Sequence, residues 1–224
     1  MKNERNPLLF LDRHDAGAKL AESLLIFRTK KPIVVALPRG GVPVGYEVAW
    51  RLKAPLDLLI VRKIGAPENP EFGIGALAEN SAASINYETA AALGISPPEI
   101  EEAIVHASQS VKNQIQKFRG GKPMRPLLGR SVILVDDGLA TGVTAKAAIR
   151  WLQKQKTKEI IFAVPVASPG TLEILKTQVS QLIYLLAPTS FSAVGLWYED
   201  FSQVTDQEVL ELLDAANQRV NLAA

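Results

Sequence analysis

The chain of 224 residues contains no cysteine. Disulfides, thiolate metal centres and cysteine nucleophiles are therefore excluded. It has only two histidines, His14 and His106. Two isolated imidazoles give no basis for a histidine-based metal site, and neither is assigned a role. Charge of one sign is also scarce, with a formal net charge of +2. That is too little to draw nucleic acid to the surface as a whole, so any phosphate must be met by locally placed cations. No apolar run approaches the ~20 residues that a membrane helix needs. The opening "MKNERNPLLF" has no long apolar core and no small-residue cleavage site, so no signal peptide is expected. The expected location is cytoplasmic, with neither nucleic acid nor membrane as a partner.

What is present is an ordinary globular composition, 47% hydrophobic and 21% charged. Short apolar runs alternate with helical patterns. Strands are expected at 32–37, 56–61, 131–137, 159–167 and 181–188. Each is apolar enough to be buried on both faces, as in a parallel sheet. Helices are expected at about 15–28, 44–52, 96–119, 144–155, 170–178 and 205–220. The charges of the first are read as a solvated face. Ser96 with the prolines after it starts the long helix, and basic residues with a Gly pair end it. Thr205 and Glu208 have capping-box spacing. "IGAPENPEFGIG" (64–75), with two prolines and three glycines, is expected to be an irregular, mobile loop. "GALAEN" and "ASINYET" follow it as a short antiparallel strand pair.

This alternation predicts an α/β fold with a doubly wound, mainly parallel five-stranded sheet. In such sheets ligands sit beyond the carboxyl ends of the strands. The informative segments are then those that follow each strand.

"VILVDDGLATGVT" (132–144) is the most telling of them. Glycines let successive backbone N–H groups converge on an anion, and the following helix adds its N-terminus. Thr141 and Thr144 add hydroxyl donors. No "GK[ST]" ending is present, so this is not a P-loop. Asp136 and Asp137, acceptors only when ionised, would repel a phosphate unless they faced another part of the ligand. A sugar phosphate satisfies both halves, with hydroxyl donors at one edge and a phosphate at the other. "LPRGGVPVG" (37–45) offers the Arg39 guanidinium fork and the close backbone approach that Gly40 and Gly41 permit. "LLIVRKIG" (58–65) sends two cations, Arg62 and Lys63, out of a buried strand, and both suit a pyrophosphate.

These segments resemble the type I phosphoribosyltransferases, over roughly residues 30–200. The resemblance implies a single domain across 1–224: a core of about 30–188, a C-terminal hood of about 189–204, and terminal helices packed on the core. It implies that 5-phosphoribosyl-1-pyrophosphate (PRPP) is bound with Mg²⁺. Asp136 and Asp137 would then hold the ribose hydroxyls. Gly138, Leu139, Ala140, Thr141, Gly142, Val143 and Thr144 would wrap the 5′-phosphate. The pyrophosphate loop would contain Arg39, Gly40 and Gly41, with a non-proline cis peptide at or beside Arg39. Arg62 and Lys63 match the "RKxG" stretch of adenine enzymes, whose flexible loop carries a proton-transferring glutamate at the position of Glu79. The catalytic set is thus Glu79, Arg39 and Lys63.

"FSAVGLWYEDF" (191–201) is similar to the hood of 6-oxopurine enzymes. Phe191, Trp197 and Tyr198 are its candidate base-stacking residues, and Glu199 joins Asp136 and Asp137 as a metal ligand. Two features point away from that subclass. Ala140 stands where 6-oxopurine enzymes carry an aspartate, and "VASPG" (166–170) lacks their base-reading lysine. The implied reaction transfers the phosphoribosyl group to a nitrogen of a small heterocyclic acceptor, a purine or related base, and releases pyrophosphate. A homodimer is the implied assembly. Two alternatives stay open: a regulator that binds PRPP or a nucleotide on the same fold, and a sugar-phosphate phosphohydrolase.

Overall fold

A computed structural model describes residues 9–67 and 69–222. The chain divides into two compact units. One comprises residues up to Leu58, Pro126–Thr141 and the chain from Lys156 onward; the other comprises Leu59–Arg125 and Gly142–Gln155.

The first unit is built on a five-stranded, wholly parallel sheet. In chain order its strands are β1 (Ile33–Ala36), β2 (Leu56–Leu58), β6 (Ser131–Val135), β7 (Glu159–Val166) and β8 (Gln181–Leu186), and their spatial order is β2-β1-β6-β7-β8. The central strands β1 and β6 are buried at every residue. This burial explains their unbroken apolar sequence, since both faces of a parallel sheet are covered. The edge strand β8 is only half-buried and carries Gln181 and Tyr184 at exposed positions.

Helix α1 (Arg13–Leu24) packs on α2 (Gly41–Leu52), which in turn meets β1 and α7 (Asp206–Leu222). Asp12 caps α1, its carboxylate accepting the Asp15 N–H at 2.8 Å. A 3-10 turn, Leu25–Lys30, completes the helical stretch expected to 28. Helix α6 (Pro169–Lys176) lies between β7 and β8 in sequence. At α7, the expected cap is present in the Glu208 N–H donating to the Thr205 hydroxyl at 3.1 Å.

The second unit holds an antiparallel three-stranded sheet, β3 (Val61–Ala66), β4 (Asn69–Ala78) and β5 (Ser84–Ile85), with helices α3 (Tyr87–Ala92), α4 (Pro97–Arg119) and α5 (Val143–Lys154). Helix α4 starts and stops as its sequence predicts. Ser96 and Glu99 form a capping box, prolines occupy its first turn, and Gly120 takes a left-handed φ of 58° after the last turn.

Three expectations about this unit are corrected. The described residues of 64–75 are not irregular: 64–66 and 69–75 lie in the paired strands β3 and β4. The glycines that argued against a strand sit instead at register shifts around Gly65 and Gly73, where a bulge suits a residue without a side chain. The apolar run 56–61 is not one strand. Only Leu56–Leu58 pairs with β1, and from Val61 the chain belongs to the other sheet. Strand β5 ends at Ile85 because Asn86 caps helix α3, accepting the Thr89 N–H at 3.0 Å.

Candidate functional site

The carboxyl end of β6 delivers Asp136 and Asp137 directly after the fully buried Val135. The loop that follows is fastened to the neighbouring strand. The Leu139 N–H donates to the Val166 carbonyl at 2.9 Å, and the Ser168 N–H donates to the Leu139 carbonyl at 2.8 Å. The Thr171 hydroxyl donates to the Ala140 carbonyl at 2.5 Å. Leu139 is therefore a buried anchor, while Ala140 and Thr141 face solvent. The chain then passes into the second unit. Gly142 takes φ 72°, a conformation that costs glycine little, just before Val143 and Thr144 open α5.

The loop after β1 lies against the acid pair. The Leu37 N–H donates to the Val135 carbonyl at 2.9 Å. The Pro38–Arg39 peptide is cis, in the place that the resemblance implied. A methyl group at Gly40 would collide with the Asp137 carboxylate, and one at Gly41 would lie 2.8 Å from the Val135 carbonyl oxygen. Both glycines are thus required for the two loops to approach. Arg39 is half-exposed and lies 3.7 Å from the Asp206 carboxylate at the start of α7.

The acid pair is electrostatically loaded. The Asp136 carboxyl is pushed well above the ordinary carboxylate range, first by burial and then by the neighbouring Asp137 charge. Burial also raises Asp137, against the pull of the Arg13 guanidinium. One hydrogen bond holds Asp136 in place, its carboxylate accepting the Asp137 N–H at 2.9 Å.

Arg13, which touches the acid pair, was given no role in the sequence reading. It lies just before the helix expected at about 15–28, whose charges were read as a solvated face, and it is buried, with 10% of its side chain exposed. Its Nε donates to Asp137 Oδ2 at 2.8 Å and its Nη1 to the Ser202 carbonyl at 2.8 Å. Its guanidinium carbon stands 3.8 Å from the centre of the Phe201 ring. A signal was available in the sequence. Arg13 is in register with Ala16, Gly17, Leu20 and Leu24, the buried stripe of α1.

The hood is ordered by the same N-terminal segment. Phe10 donates to the Trp197 carbonyl at 2.9 Å, and the Glu199 N–H donates to the Phe10 carbonyl at 2.8 Å. Phe191, Val194 and Trp197 pack, partly buried, on a cluster of Phe10, Ala16, Val166 and Tyr198. Tyr198 departs from its expected role as a base-stacking surface. Its ring is buried with Phe10 at 5.3 Å and Phe201 at 5.1 Å, and its hydroxyl donates to the Asp137 carbonyl at 2.6 Å. Burial, with Asp137 next, pushes its phenol far above the usual range. A methyl at Gly138 would strike Val194, so the hood's Val194 side chain lies directly against the loop backbone.

Glu199 is exposed. Asp136, Asp137 and Glu199 do not converge, since among the described residues no three His, Cys, Asp or Glu side chains form a metal-binding group.

The second unit holds the other predicted residues. Arg62 and Lys63 do not leave a buried strand for a loop; they are exposed positions within β3. Glu79 follows β4 directly and is not on an exposed loop. It is 1% exposed, paired with the Arg119 guanidinium, and its carbonyl accepts the Trp151 indole N–H at 2.6 Å. That packing is the structural reason it does not match a glutamate carried on a closing loop.

Residues 6–183 match the family model of the phosphoribosyl transferase domain. The chain belongs to the phosphoribosyl transferase family. Two curated relatives, from two strains of Mycobacterium tuberculosis, are each 37% identical over 209 residues and carry the name "Putative phosphoribosyl transferase". The match takes in 93% of this chain and 47% of theirs, so the chain spans about half the length of the curated relatives it matches. Among solved structures, the TT1426 protein of Thermus thermophilus is 40% identical with a TM-score of 0.77, over 92% of this chain and 97% of that one. Among the described residues, no helix is long and apolar enough to cross a membrane.

Proposed function

We propose that the protein transfers the 5-phosphoribosyl group of PRPP to a nitrogen of a flat base, a purine or related heterocycle, and releases pyrophosphate. The observation that carries this reading is the acid pair itself. Two carboxylates are held at a strand's carboxyl end against strong desolvation and mutual repulsion. A fold keeps such a cost where function uses it. Ribose hydroxyls would donate to the pair, and a divalent cation would relieve its charge.

Mg²⁺ fits this donor set. It binds through one or two carboxylates together with substrate phosphates, and so needs no all-protein cage. Asp136 and Asp137 would hold it, without Glu199. Bound there, it would neutralise charge on the phosphates. The protein's own groups do the rest. The carboxylates orient the sugar, and the solvent-facing backbone at Ala140 and Thr141 meets the 5′-phosphate. The Arg39 guanidinium and the Gly40–Gly41 backbone meet the leaving pyrophosphate, whose charge develops as the C1–O bond breaks. Phe191 and Trp197 are the hood aromatics left to flank the base.

The test is pyrophosphate release from PRPP and Mg²⁺ with a panel of nucleobases. Base-dependent release that vanishes in the Asp136→Asn/Asp137→Asn double variant is the expected result. Inorganic phosphate without any base would point to hydrolysis. PRPP binding with no turnover across the panel would point to a regulator.

A further inference from the structure

We propose that Arg13 is a positioning residue for this reaction: it fixes the Asp137 carboxylate for the ribose and ties the hood to it. The inference rests on the reading above and adds to it a residue from the N-terminal helix, outside the motifs that carry the family resemblance.

Three contacts converge on one side chain. Nε holds the Oδ2 atom of Asp137, Nη1 holds the carbonyl of Ser202, and the flat face lies over Phe201. An arginine can do this because its donors form a rigid planar fork with two usable faces. A lysine would supply the charge but only a point donor. The contact leaves Asp137 available, for its side chain keeps 16% of its surface exposed. Only Nε of Arg13 contacts the carboxylate, so acceptor sites remain on Asp137 for hydroxyl donors.

The neighbouring backbone shows what the arrangement is for. Residues 10–11 run beside 197–200 through three backbone hydrogen bonds of 2.8–2.9 Å. Tyr198 adds a fourth link, from its hydroxyl to the Asp137 carbonyl. The hood is thereby fastened to the signature acid from two directions, and Arg13 is the only one of these links that reaches the carboxylate itself. Removing it leaves the hood's backbone contacts in place and releases the carboxylate to rotate. The consequence falls on ligand affinity before it falls on the fold.

The experiment measures PRPP binding with Mg²⁺ by titration calorimetry for the parent, Arg13→Ala and Arg13→Lys, with near-UV dichroism and melting curves for each. Loss of a hydrogen bond to a charged group predicts affinity weaker by roughly 10- to 100-fold in both variants. Millimolar methylguanidinium should restore much of the affinity of Arg13→Ala and none of that of Arg13→Lys, whose side chain fills the space. Parent-like binding by either folded variant would overturn the role. Weakening that only tracks a lower melting temperature, without rescue, would overturn it too and leave Arg13 a simple fold contact. Should Arg13→Ala fail to fold, Arg13→Lys decides alone by the same criterion. A parent that binds no PRPP would remove the proposed function, and the Arg13 role with it.

Discussion

Among the described residues, each unit of the molecule contains a buried arginine–carboxylate pair, and the two differ in how far their acids are enclosed. In the first unit Arg13 meets Asp137, with 10% and 16% of their side chains exposed. In the second Arg119 meets Glu79, with 9% and 1% exposed. The arginines are equally buried; the carboxylates are not. Asp137 sits at the end of a parallel strand, beside glycines that could not carry a side chain. Glu79 is enclosed, with the Trp151 indole on its own carbonyl. On the proposed function, the pair whose acid can still be reached serves a ligand and the pair whose acid is sealed serves the fold.

The sharpest way to break that comparison is to remove each acid in turn. Glu79→Ala would leave the Arg119 charge buried with no counter-charge beside it, at a cost of about 3–5 kcal/mol. Denaturant unfolding followed by tryptophan fluorescence would read it. Asp137→Ala leaves Arg13 its Ser202 and Phe201 contacts and some access to water. The expected loss is smaller, about 1–3 kcal/mol, with PRPP binding lost as well. Equal destabilisation by the two substitutions would show that exposure of the acid does not separate their roles.

Asp136 sharpens the same contrast with the opposite sign. Its carboxyl is raised by burial and by Asp137, so the unliganded fold penalises its charged form. Its contribution to stability is therefore fully present below the ordinary carboxylate range and declines as pH rises towards the raised value. Asp136→Asn removes the charge and keeps an acceptor for the Asp137 N–H. The unliganded variant should be more stable at neutral pH by on the order of 1 kcal/mol, and should lose the parent's decline as pH rises from the ordinary carboxylate range. Melting curves across that interval, without ligand, would test it. A variant less stable than the parent at neutral pH would mean that the pair is not under strain.

The alternation of elements was legible because the central strands are buried on both faces and so read as apolar runs. The placement of the acid pair and its loop was legible because an apolar run leads into two acids and a glycine-rich turn before a helix, the pattern of a strand end in such a sheet. Four things were not. Period and composition cannot show that residues 56–61 split between two sheets, since both pieces are equally apolar. Glycine and proline at 64–75 speak against regular structure only where no bulge absorbs them. The burial of Arg13 was hidden because a cation near a helix start is usually solvated. Its place on the buried stripe was the available signal, and its partners, 124 and 189 residues away, are set by tertiary structure alone. Tyr198 was read as a surface for the ligand because aromatic residues in a hood pack on the core as readily as on a base.

The smallest expected effect concerns a third pair, on the reachable side of the comparison. Arg39 and Asp206 stand 3.7 Å apart, both more than a third exposed or nearly so. Such pairs contribute about 0–1 kcal/mol and are screened by salt. If Arg39 meets pyrophosphate, Asp206 competes for it while the site is empty. Asp206→Asn should then tighten pyrophosphate binding by roughly 2- to 5-fold at low ionic strength, and the gain should shrink as salt is added. Stability should fall only slightly, by about 0.3–1 kcal/mol, because an acid in the first turn of α7 also complements the helix dipole. Inhibition of turnover by pyrophosphate, or calorimetric titration if turnover is slow, would give the ratio. Unchanged affinity at every salt concentration would show that Arg39 is held for α7 rather than for the leaving group, and would move this pair to the same side as Arg119 and Glu79.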